Sequence, residues 1–312
     1  MKILLANPRG FCAGVRMAIE VVDQVLKSRG APVWVYHEIV HNTHVVEDFK
    51  RRGVVFVEDV DDVPEGEVVV FSAHGIPPTV RRQAEARGLE VHDATCPLVT
   101  KVHNEVIRYA RQGYTIVFVG DPKHQEAIGT AGEAPDKVTI VKMAEEVEHL
   151  SFPDDAKLAY VTQTTLSVTD ANRVIDALKA RFPQMREPPK EDICYATTNR
   201  QEAVSLWSPE VDLVLVVGSE TSSNTKKLVA RAEEAGTRGH RIEDAGDMRP
   251  EWFEGVDTVL VTAGASAPEH LVEDVVGRIV ADHGATIETR TLTEEDMKFA
   301  LPRSTRQLAV IG

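Results

Sequence analysis

The chain has 312 residues, 43% of them hydrophobic and 27% charged, and its 35 Lys and Arg against 49 Asp and Glu give a formal net charge of −14. That length accommodates two or three modules of roughly 100 residues each, with a balance that is globular rather than disordered. So acidic a chain argues against a nucleic-acid partner and against loose attraction to an anionic membrane, no apolar run approaches the ~18 residues that cross a bilayer, and any anionic ligand must be held in a local pocket.

The opening MKILLANPRG reads as a first β-strand and not as a signal peptide, so a cytoplasmic protein is expected. A helix follows from about Ala13, with Val15, Ala18, Ile19, Val22, Val25 and Leu26 on one face and Gly30 closing it. Next come VWVYHEIV, a helix ending at Gly53, VVFVEDV, VVVFSAHG, a charged helix ending at Gly88, LEVHDATC, a helix through Tyr109, and YTIVFVGD. The second half continues with the strand-like runs KVTIV, LAYVTQTT, LVLVVGS, TVLVTAG and RQLAVIG, while FPQMREPPKED reads as a linker. Strands alternating with helices predict an α/β class with parallel sheets. Cys12, Cys96 and Cys194 each precede a helical pattern. Their coarse spacing predicts three similar modules at 1–95, 96–193 and 194–283, followed by a C-terminal extension at 284–312.

Five of the strands end in small polar loops that open helices, the place where parallel sheets bind ligands. These loops and the HEIVHN turn hold the candidate site residues: His41, His74 in SAHG, His124 and Glu126 in KHQE, Thr164 and Thr165 in TQTT, Ser222, Ser223 and Asn224 in SETSSN, and Ser266 in GASAP. Each has an ordinary reading as well, since Ser, Thr and Asn cap helices and histidines satisfy structural hydrogen bonds. His37, His41 and His44 could hold a metal, although Val40-His41-Asn42 reads as a strand-to-helix turn. Three cysteines give no tidy disulfide framework. Thiolates select zinc, copper(I) or iron–sulfur clusters, and the CxxC pairs usual in structural zinc sites are missing. A four-iron cluster on three thiolates leaves one iron open to substrate. A three-cysteine zinc site with an open position fits the same count, so the residues alone leave iron and zinc both open.

NPRGFCAGV, HEIVHN, FSAHG, DATCPLVTKVH, TQTTLSV, DICYATTNRQEAV, VGSETSSNT and VTAGASAP, in order from residue 7 to about 268, resemble the signature segments of the 4-hydroxy-3-methylbut-2-enyl diphosphate reductases. The resemblance implies a trefoil of three similar α/β modules, with mainly parallel sheets, around one central 4Fe-4S cluster. It implies Cys12, Cys96 and Cys194 as cluster ligands, with one iron open to substrate. His41, His74, His124, Ser222, Ser223, Asn224 and Ser266 then match a diphosphate pocket that Thr165 also lines. Glu126 matches the acid that feeds protons to the substrate, and Thr164 the hydroxyl beside the substrate's alcohol. The implied activity is an oxidoreductase of non-mevalonate isoprene biosynthesis, forming isopentenyl and dimethylallyl diphosphate by reductive dehydration. Its two electrons come from reduced ferredoxin or flavodoxin. A zinc-dependent hydrolase or lyase acting on a phosphorylated metabolite is the rival enzyme, and a non-catalytic cluster sensor the rival of another class. One departure is Gln125, where many members of the family carry proline between the histidine and the glutamate. After Gly284 no motif is recognisable.

Overall fold

The structure, a computed structural model, describes residues 1–308. Strands and helices alternate along the chain and gather into two compact units. One comprises Met1–Arg16, His41–Glu47 and Tyr195–Lys298; the other comprises Met17–Val40, Asp48–Cys194 and the chain from Phe299.

In the first part of the chain the elements are β1 (Lys2–Asn7), α1 (Ala13–Arg29), β2 (Val33–Tyr36), α2 (Thr43–Arg51), β3 (Val54–Val57), β4 (Val68–Phe71), α3 (Pro78–Ala86), β5 (Glu90–Asp93) and α4 (Pro97–Arg111). They continue with β6 (Thr115–Val119), α5 (Gln125–Ala131), β7 (Val138–Val141), β8 (Leu158–Thr162) and α6 (Val168–Arg181). The last part supplies α7 (Tyr195–Trp207), β9 (Leu213–Val217), α8 (Ser223–Glu234), β10 (Arg238–Ile242), β11 (Thr258–Ala263), α9 (Glu269–His283), β12 (Thr286–Thr291) and α10 (Arg303–Leu308).

The first unit is built on a five-stranded sheet in the order β10-β9-β11-β1-β12, parallel at every pairing. Successive strand residues face opposite sides, and both sides are covered. Ile3, Leu213, Leu215, Val259 and Val261 pack with Leu271, Val272, Val275 and Ile279 of α9. Leu4, Val214, Val216 and Leu260 pack with Ala203, Val204 and Trp207 of α7 and Leu228 of α8. This two-sided burial is why LVLVV reads as an unbroken apolar run.

The second unit holds two parallel sheets, β3-β2-β4-β5 and β7-β6-β8. Val102, Val106 and Tyr109 of α4 pack on Ile116, Phe118, Ala159 and Val161, while Val174 and Leu178 of α6 pack on Val117, Val119 and Tyr160. The α/β class with parallel sheets is therefore observed.

Three details differ from expectation. Strand β1, at the start of the expected first module, and β12, in the expected C-terminal extension, lie side by side in the sheet of β9 to β11. Crossover connections set sheet membership, and chain contiguity does not. FPQMREPPKED is not a free linker. Arg186 N–H donates to Leu158 O at 2.8 Å and Arg186 O accepts from Tyr160 N–H at 3.1 Å, so the segment is bridged to the edge of β8. Met185 and Asp192 within it are buried. RQLAVIG was expected as a strand, yet its first three residues, 306–308, end helix α10, and the rest lies outside the described residues.

Candidate active site

All three cysteines stand at helix starts. Cys12 precedes α1, Cys96 is the N-cap of α4 and Cys194 precedes α7. Each thiol is half-buried. The backbone also repeats one device three times. Cys12 N–H donates to Ala265 O, Cys96 N–H to Ala73 O, and Cys194 N–H to Thr164 O, each at 3.0 Å. Every acceptor lies in the loop just past a parallel strand, β11, β4 or β8 respectively. Sulfur donors at three helix starts suit a soft metal or cluster. Among the described residues no group of three His, Cys, Asp or Glu side chains is gathered around a single-ion site. The histidine trio is dispersed: His37 Nδ1 lies 2.6 Å from Glu58 Oε2, and His44 Nε2 lies 3.3 Å from Asp244 Oδ2.

In the second unit the polar loops form a continuous series. The Ala73 carbonyl that holds Cys96 is followed by His74, whose ring meets that of His124 edge to face at 5.9 Å. Ser72 Oγ lies 3.3 Å from His74 Nδ1. His124 caps α5, its Nδ1 accepting from Glu126 N–H at 3.1 Å, so the histidine and not the glutamate is the helix cap. Gln125 occupies the first helical position, one that proline also tolerates, and the departure from the family pattern leaves this cap in place. The Glu126 carboxylate, 2% exposed, accepts from Thr164 N–H at 2.6 Å and from Thr164 Oγ at 2.9 Å. The Thr164 carbonyl in turn holds Cys194. Burial pushes Glu126 up to about 7; the Asp192 charge adds to the rise, while the two Thr164 hydrogen bonds oppose it. Glu126 is thus a carboxyl poised to give or take a proton near neutrality. Thr165 Oγ accepts from Gln163 Nε2 at 3.0 Å.

The first unit gathers the remaining candidates. Ser222 caps α8 by accepting from Thr225 N–H at 3.2 Å, and Ser223 is the first residue of that helix. Ser266 Oγ donates to His41 O at 2.8 Å and lies 3.5 Å from Ser222 Oγ. Asn224 Oδ1 accepts from Ala265 N–H at 2.9 Å, next to the carbonyl that holds Cys12. Its Nδ2 is buried without a hydrogen-bond partner among the described residues, as is Asn42 Nδ2. Buried donors are normally paired, so unspent amides beside a helix N-terminus suit an anion. Asn42 itself caps α2, with Oδ1 accepting from Val45 N–H at 3.1 Å.

Sequence reasoning passed over two buried ionic groups. Lys101 Nζ donates to Lys190 O at 2.8 Å, Glu191 O at 3.1 Å and Asp192 Oδ1 at 2.6 Å, and Asp192 Oδ2 accepts from Thr162 N–H at 2.8 Å. That clamp steadies both the approach to Cys194 and the end of β8. Glu105, against the same Asp192, is raised to about 7 by burial and by that neighbouring charge. In the first unit Arg200, 1% exposed, donates to Gly10 O at 2.9 Å and to both Glu295 carboxylate oxygens at 3.0 and 3.1 Å. Lys101, Asp192 and Arg200 stood inside recognisable motifs, whereas Glu295 carried no local signal.

The chain matches the family described as LytB protein over residues 3–280. The chain belongs to that family. Among LytB relatives, the 4-hydroxy-3-methylbut-2-enyl diphosphate reductase of Rhodopirellula baltica is 50% identical, the match covering 99% of this chain and 97% of that one. The enzyme of the same name from Methylibium petroleiphilum is 51% identical over 96% of this chain and 91% of its own. The solved structure of the E-1-hydroxy-2-methyl-but-2-enyl-4-diphosphate reductase from Plasmodium falciparum superposes with a TM-score of 0.98 at 39% identity, covering 99% of this chain and 98% of that one. A structure described as (E)-4-hydroxy-3-methyl-but-2-enyl diphosphate reductase, the terminal enzyme of the non-mevalonate pathway, gives 0.65 at 34% identity, covering 90% and 100%. Among the described residues no helix is long and apolar enough to cross a membrane.

Proposed function

We propose that this chain is a cytoplasmic reductase that converts 4-hydroxy-3-methylbut-2-enyl diphosphate to isopentenyl and dimethylallyl diphosphate. Cys12, Cys96 and Cys194 hold one 4Fe-4S cluster, and reduced ferredoxin or flavodoxin supplies the electrons. The observation that carries the reading is the buried Glu126 carboxyl, fixed by Thr164 on the residue whose carbonyl also holds Cys194. Half-buried thiols at three helix starts fit a thiolate-ligated cluster. When bound, the cluster supplies electrons and an open iron that acts as a Lewis acid.

The chain's own residues bind the substrate and manage protons. The diphosphate's ligands are the unspent Asn224 amide, the hydroxyls of Ser222, Ser223 and Ser266, and His41, His74 and His124. Thr164 Oγ orients the Glu126 carboxyl and stands beside the substrate alcohol. Glu126, protonated up to about pH 7, gives its proton to the departing hydroxyl. The balance is two electrons and two protons consumed, the C–O bond broken, one C–H bond formed and one water released.

The test is anaerobic purification followed by iron, sulfide and zinc analysis, with turnover measured using a chemical reductant. About four irons and four sulfides per chain, with substrate turnover, is the expected result. Zinc in their place would overturn this reading in favour of a hydrolase or lyase acting on a phosphorylated metabolite.

A further inference from the structure

The second unit carries a concavity of about 710 Å³ whose lining includes Thr95 and Pro97, the two chain neighbours of Cys96. Helix α4 contributes Thr100, Lys101, Asn104, Glu105 and Arg108 to the lining, and the segment before α10 contributes Ala300 and Pro302. Along its whole length α4 has no exposed carboxylate. Its one acidic residue, Glu105, is buried, whereas Arg108 and Arg111 are exposed. Helix α10, starting directly after Pro302, adds exposed Arg303 and Arg306 and no acid. The other carboxylate at the concavity, Asp93, is already neutralised by Arg81 at 2.6 Å. The lining itself balances Lys101 and Arg108 against Asp93 and Glu105, so the excess positive charge lies at its rim, where the exposed Arg108, Arg111, Arg303 and Arg306 form a ledge with no exposed carboxylate on either helix. Arginines in a helix's last turn complement its dipole, which accounts for Arg108 and Arg111 locally. It does not account for the arginines of α10, or for the concavity reaching the residues on either side of Cys96.

Resting on the reductase reading above, we infer that this ledge is the docking surface for a small acidic electron-carrier protein, which delivers electrons through the Cys96 end of α4. Opposite charge steers the encounter and fixes its orientation, and it weakens with ionic strength. Each encounter oxidises one carrier by one electron. Two encounters supply the pair that the reductive dehydration consumes, with both protons drawn from water by way of the protein.

The test uses the full-length, cluster-loaded protein with two donors, reduced ferredoxin and reduced methyl viologen. The double variant Arg108→Glu/Arg111→Glu changes only exposed side chains, and Lys101 is left intact because it clamps residues 190–192. Its KM for ferredoxin should rise roughly tenfold or more at low salt, with a flatter salt dependence. Turnover with viologen should stay within about twofold of the parent. Arg303→Glu should act in the same direction. An unchanged ferredoxin KM in both variants, or an equal loss with both donors, would overturn the docking surface. A parent that turns over with neither donor would instead sink the reductase reading, and the docking surface with it.

Discussion

Glu126 combines two properties that water would separate. It is almost wholly buried, yet both carboxylate oxygens have hydrogen-bond donors from Thr164. Burial dominates and lifts its pKa from 4.5 to about 7. If Glu126 is the proton donor, kcat/KM should fall on the alkaline side with a midpoint near 7, the titration of the free enzyme. Glu126→Gln should lose that limb and slow turnover by about 10²-fold or more, while iron content and substrate affinity hold. A variant turning over at near-parental rate would remove Glu126 from the proton path. The same shift has a consequence for folding. Between pH 4.5 and about 7 the folded chain keeps a proton that the unfolded chain has released, so stability falls as pH rises through that window. The loss is on the order of 3 kcal/mol and is complete above the folded pKa. Glu105, also lifted to about 7, adds a second slope of the same sign. Urea unfolding at pH 5 and pH 8 should therefore show the parent less stable at pH 8, and Glu126→Gln should show about half that difference.

Between elements, the loops that carry the cysteines are held from outside themselves. Gly10, at φ +64° and with Ala267 O only 3.1 Å from where a Cβ would sit, turns the chain just before Cys12. Its carbonyl is fixed by Arg200 of α7, and Arg200 is matched by Glu295 in the segment after β12. Removing one partner of a buried ion pair strands the other. Glu295→Ala should thus cost about 3–5 kcal/mol in urea unfolding. Because the pair ends on the Cys12 loop, iron should also leave the variant faster under a chelator. A loss below about 1 kcal/mol, the range of exposed pairs, would show that the pair is not structural. Here lies the limit of what could be read from the amino acids alone. The helix from Ala13 and the strand LVLVV declare themselves through the periodicity of buried faces. Strand β12, TIETRT, does not, because it is a half-exposed sheet edge with no apolar alternation. FPQMREPPKED misleads for the same reason: proline and charge describe its own composition, while its order comes from β8 and Lys101, distant in sequence. Cysteines ahead of helices were legible; the carbonyl that each borrows from another strand's loop was not.

For the chain as a whole, the sheets and the cysteine loops draw their stability from different sources. Parallel strands buried on both faces, such as β9 with every residue buried, supply hydrophobic cores that need no metal. At each cysteine the backbone N–H reaches a carbonyl in another strand's loop, and the thiol is half-buried. A cluster that binds the folded chain and not the unfolded one stabilises by mass action, and its effect is felt first where local opening is easiest. Anaerobic removal of iron should therefore lower the Tm and leave the sheets assembled. Amide hydrogen exchange should rise at Cys12, Cys96 and Cys194 and in the first turns of α1, α4 and α7, while β4, β6, β9 and β11 keep their protection. Replacing any one of the three cysteines with serine should reproduce that pattern together with loss of iron. A serine variant that retained the full iron content would show that its position is not a ligand. Exchange that rose evenly across strands and cysteine loops would show that the metal supports the whole fold, which the hydrophobic packing of the sheets argues against.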